Sequence, residues 1–252
     1  MIQYRILDQD GNAFDIDNPT FTILEDTISI SADIVEKSFR DGADFPGIQR
    51  AGSKILNFQY EVYNNMQNWR TISNTYIKWF RNARVLQDLT NNLEIQVIQT
   101  ENGISHTPGA QNNVSFNTVS FKTLRPFWEE ITENIVSESG SVNQIVIIND
   151  GYYETPPTIT IQTDLAIPKF IIKIEETGDG IIVNDLEFGQ IGLSTYIIDN
   201  RNGEIELNEI DRKSKIKAGT GFFNLQTGIN TIIFEAINPA DISISWKRRY
   251  FV

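Results

Sequence analysis

The sequence predicts a mainly β chain of two domains with a single α-helix, and three observations carry that expectation. The run Ile55-Leu56-Asn57-Phe58-Gln59-Tyr60-Glu61-Val62-Tyr63 alternates apolar and polar side chains, the period of a half-buried strand. Between residues 66 and 83 the period changes. Met66, Trp69, Ile72, Tyr76, Trp79, Phe80 and Ala83 recur at spacings of three and four, one face of a helix. Beyond residue 139, short β-rich runs alternate with Asp-Gly and Asn-Gly turns and no helical period, the pattern of a two-sheet sandwich.

Taken in order, residues 1–40 read as the strands Tyr4–Leu7, Phe21–Leu24 and Thr27–Ala32, with Asp8-Gln9-Asp10-Gly11-Asn12 as a turn. The segment Asp41–Gly52 holds three glycines and Pro46. Glycine permits positive φ or close backbone approach and proline fixes φ, so this is a shaped connection into the strand that follows. Arg81 and Arg84 fall in the last turn of the helix, where its dipole favours cations. Leu93–Gln99, a polar loop over Glu101–Asn113 and Val114–Lys122 form a hairpin with a long tip. The first domain closes on Phe121–Trp128, and the polar Ser137-Glu138-Ser139-Gly140-Ser141 reads as a linker. This sets the domains at 1–138 and 139–252. In the second, the strands are Asn143–Ile148, Pro157–Gln162, Lys169–Glu175, Gly180–Val183, Thr195–Asp199, Glu204–Asn208, Ile229–Glu235 and Ile242–Trp246.

Composition removes several functions. The net charge is -12, with 18 acids against 11 bases in 1–138 and 15 against 10 in 139–252. Neither half offers the basic face that nucleic acid requires, so no stable nucleic-acid binding is expected. The absence of cysteine excludes disulfides, thiolate metal sites and cysteine nucleophiles. The first residues lack the apolar stretch of a signal peptide, and no window approaches the ~20 apolar residues of a membrane helix. The expectation is synthesis in a cytoplasm with no membrane insertion.

Some residues in this order resemble the siphophage distal tail family. They are Phe45, Gly47, Arg50 and Gly52, the strand Ile55–Val62 and the helix from Trp69. In the second half they are Asn149-Asp150-Gly151 with Pro156-Pro157, Leu225-Gln226-Thr227-Gly228-Ile229-Asn230, and Ser245-Trp246-Lys247-Arg248. The resemblance implies an N-terminal domain that forms a ring around the tail channel. It also implies a C-terminal galectin-like or jelly-roll sandwich that projects outward. By the same resemblance the chain is a homo-oligomer, a hexameric ring, located at the virion tail tip. Its implied partners are the tail tube protein, the tape-measure protein, the baseplate hub or tail-associated protein, and receptor-binding proteins. DNA would leave through the ring, and 1–44 carry ten acids against three bases, so carboxylates are expected to line the bore.

Candidate site residues follow from this frame. Phe45, Gly47, Arg50 and Gly52 are expected at a subunit contact, as are Lys247, Arg248 and Arg249, the densest basic run in an acidic chain. Tyr152, Tyr153 and Tyr196 could stack on a saccharide, which makes a carbohydrate-binding module the second hypothesis. An enzyme is the third, and the residues argue against it. His106 is the single histidine and sits in a polar loop. Glu204 and Glu206 share one strand face, the wrong geometry for two carboxylates opposed across a glycosidic bond. Asp8, Asp10 and Asn12 resemble half of a calcium loop, but Pro19 stands where the twelfth-position Glu is required. No catalytic residue, cofactor or metal is expected. Trp246 alternates with Ile242 and Ile244 and reads as core.

Overall fold

Alternation of β-branched and polar residues decides most of this structure, because it gives each strand one face to bury. The computed structural model describes residues 4–15, 21–29, 55–63, 77–108, 114–125, 127–190 and 192–250. The chain divides into two compact units, Met1–Ile131 with Phe251–Val252, and Thr132–Tyr250. The expected mainly β fold is found in both.

The described strands of the N-terminal unit are β1 (Tyr4–Asp8), β2 (Ala13–Asp15), β3 (Phe21–Ser29), β4 (Ile55–Tyr63), β5 (Ala83–Asp88), β6 (Leu93–Pro108), β7 (Val114–Thr123) and β8 (Trp128–Glu130). Seven of them pair antiparallel in the order β2-β1-β5-β6-β7-β4-β3. The Asp8–Asn12 cluster is the turn expected. Asp8 Oδ1 accepts the backbone N–H of Asp10 and of Asn12, both at 2.9 Å, and Oδ2 accepts the Asn12 amide at 3.0 Å. Its carboxylate is held below the usual range chiefly by the Asn12 side-chain bond. The same clasp recurs at Asp88, which accepts the N–H groups of Thr90 and Asn91 and the Asn91 amide.

Three expectations change here. Phe21–Leu24 and Thr27–Ala32 are not separate: β3 runs through to Ser29, with a register shift between Ile23 and Glu25. An irregularity of this kind breaks the period of two without ending the strand. The polar stretch after Glu101 is not all loop, since β6 continues to Pro108 and pairs with β7. Of the expected helix, residues 77–82 are helical, while 66–76 lie outside the described residues. Ala83 and Arg84 begin β5 rather than ending the helix. Within the described helical turn, the two aromatics Trp79 and Phe80 pack on the strands. Phe80 is fully buried edge-on to Phe121, ring centroids 6.1 Å apart, and Trp79 stacks on Phe14 at 5.4 Å. Phe80 joins Tyr4, Ile6, Leu86, Ile95 and Val97 in one core.

The C-terminal unit holds β9 (Asn134–Glu138), β10 (Gln144–Asn149), β11 (Thr158–Thr163), β12 (Lys169–Ile174), β13 (Gly180–Asn184), β14 (Ser194–Asp199), β15 (Glu204–Leu207), β16 (Ile210–Asp211), β17 (Gly228–Ala236) and β18 (Asp241–Trp246). They form two antiparallel sheets, β10-β17-β12-β13 and β16-β15-β14-β11-β18-β9. Inward residues of both sheets share one core, including Ile145, Ile159, Phe170, Ile172, Tyr196, Ile232 and Ile244. This is a sandwich.

The polar segment Ser137–Ser141 is not a free linker. Ser137 and Glu138 belong to β9, an outer strand paired along β18 with Glu138 opposite Ile242. The Ser137 hydroxyl donates to that of Ser243 at 3.0 Å, and the Gly140 N–H donates to Asp241 Oδ1 at 3.1 Å. Composition hid the end of the strand because Ser137 and Glu138 are exposed, whereas pairing uses only the backbone, and Val136 packs against the core.

Candidate functional site

The C-terminal segments that carry the resemblance meet at one end of the sandwich. Asn149 is fully buried at the end of β10, opposite Gly228. Its amide donates to the carbonyls of Tyr153 (2.9 Å) and Gln226 (3.3 Å), and its Oδ1 accepts the Gly151 N–H at 3.2 Å. Asn230, equally buried, mirrors it. Its Oδ1 accepts the Gln226 N–H at 2.7 Å, while Nδ2 donates to the Gln226 and Gly228 carbonyls at 2.8 and 3.1 Å. Thr155 and Leu225 exchange backbone bonds, and the Thr155 hydroxyl donates to the Lys247 carbonyl at 2.7 Å. Two buried amides and the Thr155 hydroxyl thus tie three distant segments together, and the amides satisfy turn carbonyls.

The basic run lies in this clasp. Arg248 Nη2 donates to Asn134 Oδ1 at 3.1 Å, and Nη1 stands 3.5 Å from Asp150. Arg249 Nη1 donates to the Glu154 carbonyl at 3.1 Å, and its own carbonyl accepts the Tyr152 N–H at 2.7 Å. A Cβ on Gly151 would come within 2.9 Å of the Arg249 N and O, so only glycine admits this approach. Lys247, Arg248 and Arg249 are half-buried.

Of the three tyrosines expected against a saccharide, the structure leaves one broadly exposed. Tyr152 is exposed and meets Tyr250 edge-on at 5.8 Å. Tyr153 is half-buried, and burial raises the pKa of its hydroxyl. Tyr196 has no exposed surface, with its ring packed against Phe170 and Phe188 at 5.2 and 5.0 Å. A strand-borne tyrosine and a core tyrosine look alike in sequence, and here packing takes the ring. Phe45, Gly47, Arg50 and Gly52 lie outside the described residues. His106 is in β6, paired opposite Asn117. Trp246 is buried beside Ile242 and Ile244, as expected. Among the described residues no group of three or more His, Asp or Glu is placed to hold a metal ion, and no helix is long and apolar enough to cross a membrane.

A second feature was not foreseen. The buried Asp185 carboxylate accepts the Tyr196 hydroxyl at 3.3 Å and lies 3.4 Å from Arg212 Nε. The same guanidinium binds Glu187 at 2.5 Å. Burial, then the Asp185 charge, drives the Tyr196 pKa far above its ordinary value. This network fixes a notch lined by Leu186, Glu187, Gln190, Ser194, Leu207, Asn208, Ile210 and Arg212. The available signal was an aliphatic residue, Leu186, set between two acids in a stretch otherwise read as connection.

Residues 150–250 match the family described as the siphovirus-type tail component, C-terminal domain. The expected resemblance to the siphophage distal tail proteins holds. The distal tail fold also extends beyond that match. The crystal structure of SPP1 Dit is described as a paradigm of the hub adsorption apparatus in phages that infect Gram-positive hosts. It superposes with a TM-score of 0.70, covering 98% of this chain and 99% of that one at 12% identity. Among curated proteins none matches the sequence. All the C-terminal residues that carry the resemblance, from Asn149 to Arg248, fall within or beside the matched region, and the structure assigns several of them to the clasp.

Proposed function

We propose that this chain is a structural, non-enzymatic component of a phage tail tip: a distal tail protein whose copies close into a ring. By resemblance the ring is hexameric and joins the tail tube to the baseplate hub, in contact with the tape-measure protein and receptor-binding proteins. The observation that carries this reading is the fold shared with the SPP1 hub protein along nearly the whole chain. The agreement of residues 150–250 with the tail-component family supports it. Cyclic closure suits a part that must surround a channel, because a closed ring leaves no unsatisfied subunit contact. The Phe45–Gly52 segment is the proposed subunit contact, and the acids of 1–44 are proposed to face the bore. The Lys247–Arg249 run is a second proposed subunit contact, with Arg248 and Arg249 already holding hydrogen bonds in the clasp.

Light scattering on the purified protein tests this. The expected result is one discrete oligomer with a mass six times that of the 28.7 kDa chain. A monomer at every concentration, with no oligomer formed on adding tail tube protein, would contradict it. The saccharide reading gains no support from the tyrosines, because the buried Tyr196 has no face to offer.

A further inference from the structure

The notch beside Arg212 sits at an unpaired sheet edge, and its charge and shape define what would cover it. β16 is the outermost strand of its sheet and only two residues long. On one face of the β15–β16 hairpin, Ile210 stands opposite Leu207 at the notch, 58% exposed, with Leu186 on the same rim at 73%. On the other face, Glu206 stands directly opposite Asp211. Like charges so placed repel. The Glu206 and Glu209 side chains make no hydrogen bond or ion pair among the described residues. The turn between the two strands adds strain, since Asn208 and Glu209 hold φ of 49° and 67° where glycine would sit without penalty. Beneath it, the Asp185–Arg212–Glu187 network holds the notch preformed.

We infer that this edge docks an extended segment of another protein, whose side chains alternate aliphatic and basic. Successive side chains of a strand point to opposite faces. A strand added along β16 therefore places its aliphatic residues against Leu186 and Ile210, and its lysines or arginines against Glu206, Glu209 and Asp211. Backbone pairing supplies affinity and the two faces supply specificity. A cationic partner relieves the like-charge opposition of Glu206 and Asp211, which separates this occupant from an acidic one. A second copy of this chain is a weaker fit, because it brings the same acidic edge.

The inference rests on the proposed tail-tip function, and one experiment separates the two. Purified tails and the isolated protein are compared by hydroxyl-radical labelling and by zero-length carboxyl-to-amine cross-linking. The expected result is loss of labelling at Leu186 and Ile210 in tails, with Glu206, Glu209 or Asp211 cross-linked to a lysine of a different tail protein. Leu186→Ser and Ile210→Ser, both at exposed positions, are expected to fold normally yet lose that cross-link. Unchanged labelling in tails that contain the chain, or cross-links only to a second copy, overturns this inference alone. Absence of the chain from tails overturns the proposed function as well.

Discussion

At the scale of single residues, the positions that matter most are amides and hydroxyls with no water to turn to. Asn230 makes three hydrogen bonds from a fully buried side chain, two of them donated to carbonyls. Asn230→Asp keeps the shape and turns those donations into oxygen facing oxygen. The expected cost is about 2–3 kcal/mol at pH 7, read by urea unfolding. The introduced carboxyl would have a folded pKa above its unfolded value. Its destabilisation should therefore shrink as pH falls through the acid range, where the protonated form is the one the folded state prefers. A variant as stable as the parent at pH 7 would refute the clasp. Tyr196 gives the opposite test in alkali. Its folded pKa is raised by burial and by Asp185, so its contribution is complete below the unfolded value, about 10, and is lost as pH climbs above it. Tyr196→Phe should cost about 1 kcal/mol at neutral pH and flatten the fall in stability above pH ~10. If both proteins lose stability with the same slope, the hydroxyl does not titrate as described.

At the scale of elements, periodicity was legible and backbone pairing was not. Ile159, Ile161, Ile242 and Ile244 announced their strands because alternate positions are apolar, and each is buried. Phe80 announced its helical face in the same way. Trp246 read correctly as core, whereas Tyr196 was set among the aromatics that could stack on a saccharide and is buried instead. Nothing in a sequence window tells which face of a strand the second sheet will cover. The end of β9, Ser137 and Glu138, was read into the linker because serine and glutamate are exposed, and the row of bonds to β18 places it in the sheet. The Asn149-Asp150-Gly151 and Thr227-Gly228 turns were legible from their residues, but their meeting depends on segments far apart in the chain. The boundary follows from β9. A fragment spanning 132–250 should be soluble, monomeric and all-β by circular dichroism, whereas one starting at Gly140 strips the edge from β18 and should aggregate or unfold at lower denaturant. Equal stability of the two fragments would show that β9 is dispensable and that the sandwich begins later.

At the scale of the whole molecule, the central claim is that copies of this chain form the ring at the distal end of a phage tail tube. The acidic balance of 1–44 belongs to the same picture, since like charge lets an exiting polyanion slide where basic residues would hold it. Electron cryomicroscopy of the tail tip tests both at once. The account predicts six copies in a closed ring directly below the tube, with carboxylates of 1–44 facing the bore. Finding the chain elsewhere in the particle, or as an isolated subunit that closes no ring, would contradict it.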